Sequence, residues 1–169
     1  MRGLSISLLQ SYDSALPYSA SAPINVTRYA GAPANPGYNA IPNGQYFFSD
    51  RGAYRVDDVS ATSLAVRYSR PIGRAELFVQ GDLLNAFNHR SVADPARVGT
   101  TVSTAATSAT FAPFDPAKQA PIECPRGASA DTCRAMNANY QLAPNFGQPL
   151  NEQAYQQPRT YRFSLGARF

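Results

Sequence analysis

The chain has 169 residues, a net charge of +4 and no tryptophan, and only 15% of its residues are charged, against roughly 25% in a typical soluble domain. All but one of its 15 basic residues are arginines, and they are spread from Arg2 to Arg168. A nucleic-acid surface needs concentrated positive charge, so we expect no nucleic-acid partner. The absence of a run of eighteen apolar residues argues against a transmembrane helix.

A first strand is predicted near residues 3–12, where Leu4, Ile6 and Leu8 alternate with serines. Successive side chains of a strand point to opposite faces, so this alternation indicates one apolar and one polar face. From residue 13 to residue 58 the alternation disappears, and proline, alanine, asparagine and glycine dominate. We predict an irregular loop there, with a short strand extension at 45–48. Such a long loop is unusual in a compact soluble domain but is typical of the extracellular side of a membrane barrel.

Two further strands are predicted near residues 60–69 and 74–86, joined by a tight turn at Arg70-Pro71-Ile72-Gly73. Proline at the second position and glycine at the fourth favour a type I turn. That turn would place Arg67 opposite Glu76, as an ion pair on the face that would line the lumen of a barrel.

A second long loop, predicted over residues 87–157, contains both cysteines, Cys124 and Cys133. We expect a disulfide between them if this loop lies outside the cell, where disulfides persist; two unpaired thiols are the alternative. Only His89 could join them as a metal ligand, and it lies far away in sequence. We therefore expect neither a metal site nor a cofactor.

The last strand is predicted near residues 158–169, where Tyr161, Phe163, Leu165 and Phe169 alternate with polar or small residues. A tilted membrane strand needs about 9–11 residues with an apolar lipid-facing side, and this segment has both properties. The predicted fold is all-β: an antiparallel transmembrane β-barrel fragment spanning residues 1–169, with about four long strands, one short turn and two long loops. Met1–Leu9 is predicted to be a strand rather than a signal peptide. If the chain belongs in an outer membrane, its export signal would lie upstream.

Two segments carry a resemblance to a known family. The first is Gly81-Asp82-Leu83-Leu84-Asn85-Ala86-Phe87-Asn88, where an acidic residue precedes an Asn-x-Phe-Asn ending. The second is Pro158–Phe169, preceded by Asn145-Phe146-Gly147. These segments resemble the last short-turn hairpin and the closing strand of TonB-dependent outer-membrane receptors, particularly the Oar-like members with carboxypeptidase-regulatory-like N-terminal domains.

The resemblance implies a barrel-wall and extracellular-loop segment of a receptor that imports a scarce nutrient across the bacterial outer membrane. It implies no enzymatic activity. The partners would be outer-membrane lipid, the remaining barrel strands and the plug, the barrel assembly machinery, and TonB acting through the plug. The signal for assembly would map to Tyr161, Phe163, Leu165 and Phe169. The transported ligand stays open, as does whether the chain is a natural product or a truncated fragment.

The alternative is a secreted soluble β-rich binding module, in which the apolar faces of the strands pack against each other as in a sandwich. A plug, a signal peptide and further strands of about ten residues upstream in the reading frame would favour the receptor.

Overall fold

The computed structural model describes residues 3–25, 43–116 and 118–169. Nearly all of the regular structure is antiparallel β-sheet, which confirms the all-β class. The strands are, in chain order, β1 (Leu4–Asp13), β2 (Pro17–Tyr18), β3 (Ser21–Asn25), β4 (Asn43–Phe47), β5 (Tyr54–Arg55), β6 (Val59–Ile72), β7 (Ala75–Leu84), β8 (Val102–Thr104), β9 (Tyr140–Leu142) and β10 (Thr160–Arg168). The helical segments are α1 (Ala130–Ala135) and the 3-10 turns Pro95–Arg97 and Glu152–Ala154. No helix in the described ranges is long and apolar enough to cross a membrane.

The chain divides into two compact units, here called the sheet unit and the loop unit. The sheet unit comprises Met1–Leu16, Val56–Ala96 and Asn151–Phe169, and the loop unit comprises Pro17–Arg55 and Arg97–Leu150. Most of the sequence predicted to form irregular loops at 13–58 and 87–157 therefore belongs to a unit with strands, a helix and, as described below, its own core.

The sheet unit contains a four-stranded antiparallel sheet in the order β1-β6-β7-β10. Its strands lie close to the four stretches where side chains alternate in the sequence. Asp13 of β1 stands opposite Val59 of β6, and Leu84 of β7 stands opposite Thr160 of β10. Both long connections therefore leave and re-enter the sheet at one end, and the short β6–β7 turn lies at the other end.

The β6–β7 turn differs from the prediction. The last pair is Ile72 with Ala75, so the loop consists of Gly73 and Arg74 rather than Pro71 and Ile72. Gly73 has a φ of +62°, which suits the first central position of a two-residue hairpin loop, because such turns match the right-handed twist of the strands. The position of the turn thus follows from the backbone freedom of Gly73 and not from the preference of Pro71 for a type I turn.

Pro71 lies inside β6, where it lacks the N–H group needed for a ladder hydrogen bond. The position tolerates it because residues two apart present their backbone groups to the same neighbouring strand. The Ser69 N–H donates to the Gly3 carbonyl at 2.7 Å, whereas β1 begins only at Leu4, opposite Tyr68. The backbone of Pro71 therefore points to the same side of β6 as that of Ser69, past Gly3, the first residue that the structure describes.

The predicted ion pair between Arg67 and Glu76 is wrong, because the observed turn sets a different register. Arg67 stands opposite Gln80, while Glu76 stands opposite Pro71 on one side and Arg168 of β10 on the other. The predicted register is wrong by four residues. The two faces are nevertheless assigned correctly, because an even shift leaves every side chain on its own face.

The loop unit has a hydrophobic core of its own. Its hairpins are β3–β4 and β8–β9, and the Ser21 N–H of β3 donates to the Thr100 carbonyl just before β8 at 3.0 Å. The buried apolar cluster between them consists of Ala20, Ala22, Ile24, Phe48, Val102, Phe114, Tyr140 and Phe146. Aromatic contacts join both chain segments, since the Phe48 ring lies 4.6 Å from Tyr140 and 5.9 Å from Phe114 between centroids.

A second buried cluster surrounds the two cysteines. Cys124 and Cys133 are joined by a disulfide, and Phe111 and Ala138 are buried with them. Cys133 lies in α1, whose first turn is capped by the Ser129 hydroxyl, which accepts from the Thr132 N–H. The bridge therefore ties a short helix to the segment that leads to it. A helix of six residues has little stability alone, so the bridge and its apolar surroundings hold it in place.

A cysteine cross-link would test the register of the β6–β7 hairpin. Tyr68 and Val79 are direct partners, so the double variant Tyr68→Cys with Val79→Cys should form a disulfide under mild oxidation, detected by mass spectrometry of peptides. The matched pair Tyr68→Cys with Ala75→Cys should not, since Ala75 lies four residues further along the strand, about 13 Å away. Preferential linkage of the second pair would establish the type I turn instead.

Loss of the disulfide should loosen the loop unit. Replacing both cysteines with alanine should lower its free energy of unfolding by about 2–3 kcal/mol, as estimated for a loop of this length. The measurement is limited proteolysis of the full chain, in which cleavage between residues 111 and 138 should accelerate. Reduction of the unmodified chain should produce the same cleavage pattern. Unchanged cleavage in both samples would contradict a stabilising role for the bridge.

Candidate functional site

The most unusual surface of the molecule is one face of the four-stranded sheet. Cross-strand register aligns its side chains in rows, each contributed by all four strands. The rows are Leu8-Leu64-Leu83-Tyr161, Ile6-Val66-Gly81-Phe163 and Leu4-Tyr68-Val79-Leu165, followed by Leu77 and Ala167 beside Arg70. We call this surface the apolar face. The four strands come from separate segments of the sequence, and in each of them the apolar side chains alternate onto this same face.

Most large side chains of the apolar face are exposed. Phe163 and Leu165 are 83% and 84% exposed, and Ile6 is 64% exposed. No residue of β1, β6, β7 or β10 is in the buried core, which within the described ranges belongs mainly to the loop unit. Monomeric soluble proteins rarely expose apolar patches of this extent, and larger ones indicate an interaction site.

The residues predicted to form an assembly signal all lie on or directly after β10. Tyr161, Phe163 and Leu165 point to the apolar face, where they oppose Leu83, Gly81 and Val79 of β7. Phe169 follows the strand and is 98% exposed. Phe163 also shields its partner glycine, because a methyl group added at Gly81 would lie 3.6 Å from the Phe163 ring. Aromatic side chains stabilise strand glycines in this way.

The opposite face of the sheet, the polar face, carries the charged residues. Asp82 stands opposite Arg162, and Glu76 stands opposite Arg168, so opposite charges occupy facing positions of β7 and β10. Leu9 is the large exposed aliphatic residue at the β1 edge of this face. The polar face is thus suited to water or to another polar surface.

Arg67 has an aromatic partner on the polar face in place of the predicted carboxylate. Its guanidinium carbon lies 4.2 Å from the centre of the Phe78 ring, a cation–π geometry. The Phe78 ring in turn covers Gly166 of β10, where an added methyl group would lie 2.5 Å from a ring atom. The lumen-facing pair predicted at Arg67 and Glu76 is therefore replaced by a stack of Arg67, Phe78 and Gly166 across three strands.

Asn85 and Asn88, which follow β7, have structural roles that sequence reasoning missed. Both adopt left-handed backbone conformations, with φ of 47° and 55°, which asparagine tolerates better than most residues. The buried Asn85 side chain donates to the carbonyls of His89 and Gln157, both at 2.9 Å, and accepts from the His89 N–H. Asn88 accepts from the Arg159 N–H at 3.0 Å. The Asn-x-Phe-Asn ending was a signal of these roles, since it ties the end of β7 to the beginning of β10.

The loop unit contains a buried tyrosine with a perturbed pKa. Burial raises the pKa of the Tyr140 phenol well above its ordinary value, and the adjacent Glu123 carboxylate raises it further. The Tyr140 hydroxyl donates to Glu123 Oε2 at 3.1 Å. A phenol is neutral at physiological pH even without this shift, so burial and Glu123 only strengthen the role of Tyr140 as a hydrogen-bond donor. No group of three or more histidine, cysteine, aspartate or glutamate side chains in the described part of the chain has the geometry to hold a metal ion.

Comparison with known proteins gives no match: no family model, no curated protein and no solved structure is significantly similar to the chain.

Proposed function

We propose that the chain is a segment of the wall of an outer-membrane β-barrel, belonging to a TonB-dependent receptor that imports a scarce nutrient. The observation that carries the proposal is the apolar face, which is four strands wide and largely exposed. β1 and β7 have 10 residues each and β10 has 9, which matches the 9–11 residues that a tilted strand needs to cross a bilayer. Lipid would remove these side chains from water, and the polar face would line the lumen.

The topology of the sheet unit supports the same proposal. In bacterial outer-membrane barrels the periplasmic turns are short and the extracellular loops are long. With Gly73–Arg74 on the periplasmic side, both long connections are extracellular, and so is the loop unit that they form. The Cys124–Cys133 disulfide would then lie in a compartment where disulfides persist.

Both edges of the sheet require partners under this proposal. β1 and β10 each pair with only one strand in the four-stranded sheet, and open edges cannot be satisfied in lipid. The remaining strands of the receptor would pair with them, its plug would face the lumen and contact TonB, and the barrel assembly machinery would recognise Tyr161, Phe163, Leu165 and Phe169. The proposal assigns no catalytic role to the chain.

A soluble β-rich binding module is the competing proposal. The compact core of the loop unit favours it, since that core needs no membrane. A sandwich would, however, bury the apolar face against a second sheet, whereas Phe163 and Leu165 on that face are largely exposed. The two proposals predict different effects of a charged substitution on the apolar face.

A charge placed on the apolar face should prevent membrane insertion. In the reading frame that carries this segment, Leu165→Arg should destabilise the inserted barrel by about 2–4 kcal/mol if the residue lies near the bilayer midplane. The matched variant Ser164→Arg, one residue away on the polar face, should have little effect. The measurement is the amount of heat-modifiable folded protein in isolated outer membranes.

Equal accumulation of both variants in the outer membrane would contradict the lipid-facing assignment. Soluble, folded Leu165→Arg protein together with soluble unmodified protein would establish the binding module instead.

Truncation of Phe169 should impair assembly without impairing the loop unit. Phe169→Ala should lower the amount of folded receptor in the outer membrane, because the proposed recognition motif loses an aromatic side chain that is almost fully exposed. The measurement combines heat-modifiable mobility with labelling of surface-exposed residues. The control is Phe47→Ala, which truncates an exposed aromatic of the loop unit. Identical surface labelling of the Phe169→Ala variant and the unmodified receptor would refute the role in assembly.

A further inference from the structure

A cleft in the loop unit combines aromatic walls with positive charge. It has a volume of about 670 Å³, and its lining includes Pro17, Tyr18, Phe47, Arg51, Gly52 and Arg55. Ligand pockets for small molecules are typically 300–1,000 Å³ and mostly apolar, with a few polar groups that orient the ligand. The size and composition of this cleft fall within that range.

Strand pairing, ring stacking and a backbone-to-hydroxyl hydrogen bond hold the walls of the cleft. β2 pairs with β5, and the Tyr18 and Tyr54 rings stack at 5.6 Å between centroids. The Gly52 N–H donates to the Ser19 hydroxyl at 2.8 Å. Gly52 has a φ of +71°, and a methyl group there would approach the Pro17 Cβ to 3.0 Å, so the turn lies close against β2. A ligand would therefore meet a largely preformed surface, which lowers the entropy lost on binding.

The cleft carries the positive charge of Arg51, and none of its described lining residues is an aspartate or glutamate. Arg51 is exposed and makes no hydrogen bond or ion pair with the described residues. Its planar fork matches a carboxylate, which it can bind through two parallel hydrogen bonds.

The aromatic walls of the cleft indicate which chemical group a carboxylate ligand would carry. Phe47 is 59% exposed, although it lies beside Pro17 and Tyr18 in the lining of a concave surface. A flat ring in the cleft would bury this aromatic surface, and paired aromatic rings attract each other beyond the effect of the buried area alone. We propose that this cleft is a binding site for small organic anions that carry an aromatic ring, with the carboxylate on Arg51 and the ring beside Phe47 and Tyr18.

This inference does not depend on the membrane proposal, because the described lining residues of the cleft all belong to the loop unit. Binding to the cleft and insertion of the sheet can therefore be tested and can fail separately.

The test uses the full chain in detergent micelles and three probes at neutral pH, followed by calorimetry. The probe 2-naphthoate has a ring and a carboxylate, 2-naphthol has the ring alone, and inorganic phosphate has the charge alone. We expect saturable binding of 2-naphthoate with a Kd of about 1 mM or below, and at least tenfold weaker binding of the other two.

Substitutions should locate the bound probe. Arg51→Ala should weaken 2-naphthoate binding about tenfold, Arg51→Lys less because the point charge remains, and Phe47→Ala several-fold. The control Arg134→Ala removes an exposed arginine of the loop unit that pairs with Asp131, and it should leave the Kd unchanged. Both cleft side chains are exposed, so their truncation leaves the buried core intact.

The inference is overturned if 2-naphthoate fails to bind at 10 mM, on the order of ten times the expected Kd. It is equally overturned if the Arg51→Ala variant binds 2-naphthoate as tightly as the unmodified chain. Binding of 2-naphthol or phosphate as strong as that of 2-naphthoate would also reject the proposed ligand class.

Discussion

The two-residue turn at Gly73 and Arg74 determines how the rest of the sheet is arranged. Because β6 and β7 are the central strands, their pairing sets which residues of β1 and β10 share a row. A shift by one residue would place the apolar side chains of β7 on the polar face of β6. With Ile72 opposite Ala75, the apolar residues of four strands lie side by side. The continuity of the apolar face therefore depends on one backbone conformation at Gly73.

The two units are stabilised in different ways. In the loop unit, aromatic rings pack around Phe48 and Tyr140, and a disulfide fixes a second cluster. In the sheet unit, cross-strand hydrogen bonds, glycine–aromatic pairs and the side chain of Asn85 provide order without a buried core. A sheet without a core is stable only if a partner or a lipid phase covers its apolar side. This difference is the physical basis of the proposed division between membrane wall and extracellular loops.

Local alternation was sufficient to predict the long strands and the apolar face, because period-two patterns in segments such as Leu4–Leu8 and Tyr161–Leu165 need no tertiary information. The register was not predictable to the same degree, since Pro71 and Gly73 each favour a different turn. The loop unit was missed because Ile24, Phe48 and Phe114 show no period and meet only through long-range packing. The candidate site was predictable only in part. The apolar positions of β10 follow from alternation in the sequence. The partners of Arg67 and Asn85 were not predictable, because they come from distant strands and turns.

The core of the loop unit is shared by two segments that are separated in sequence by the whole β6–β7 hairpin. Phe48 comes from the first connection, and Phe114 and Tyr140 come from the second. A change of side-chain volume in one connection must therefore be compensated in the other if packing density is to be preserved. Over evolutionary time the two connections should diversify as a coupled pair, and a graft of new binding loops would succeed only if both were exchanged together.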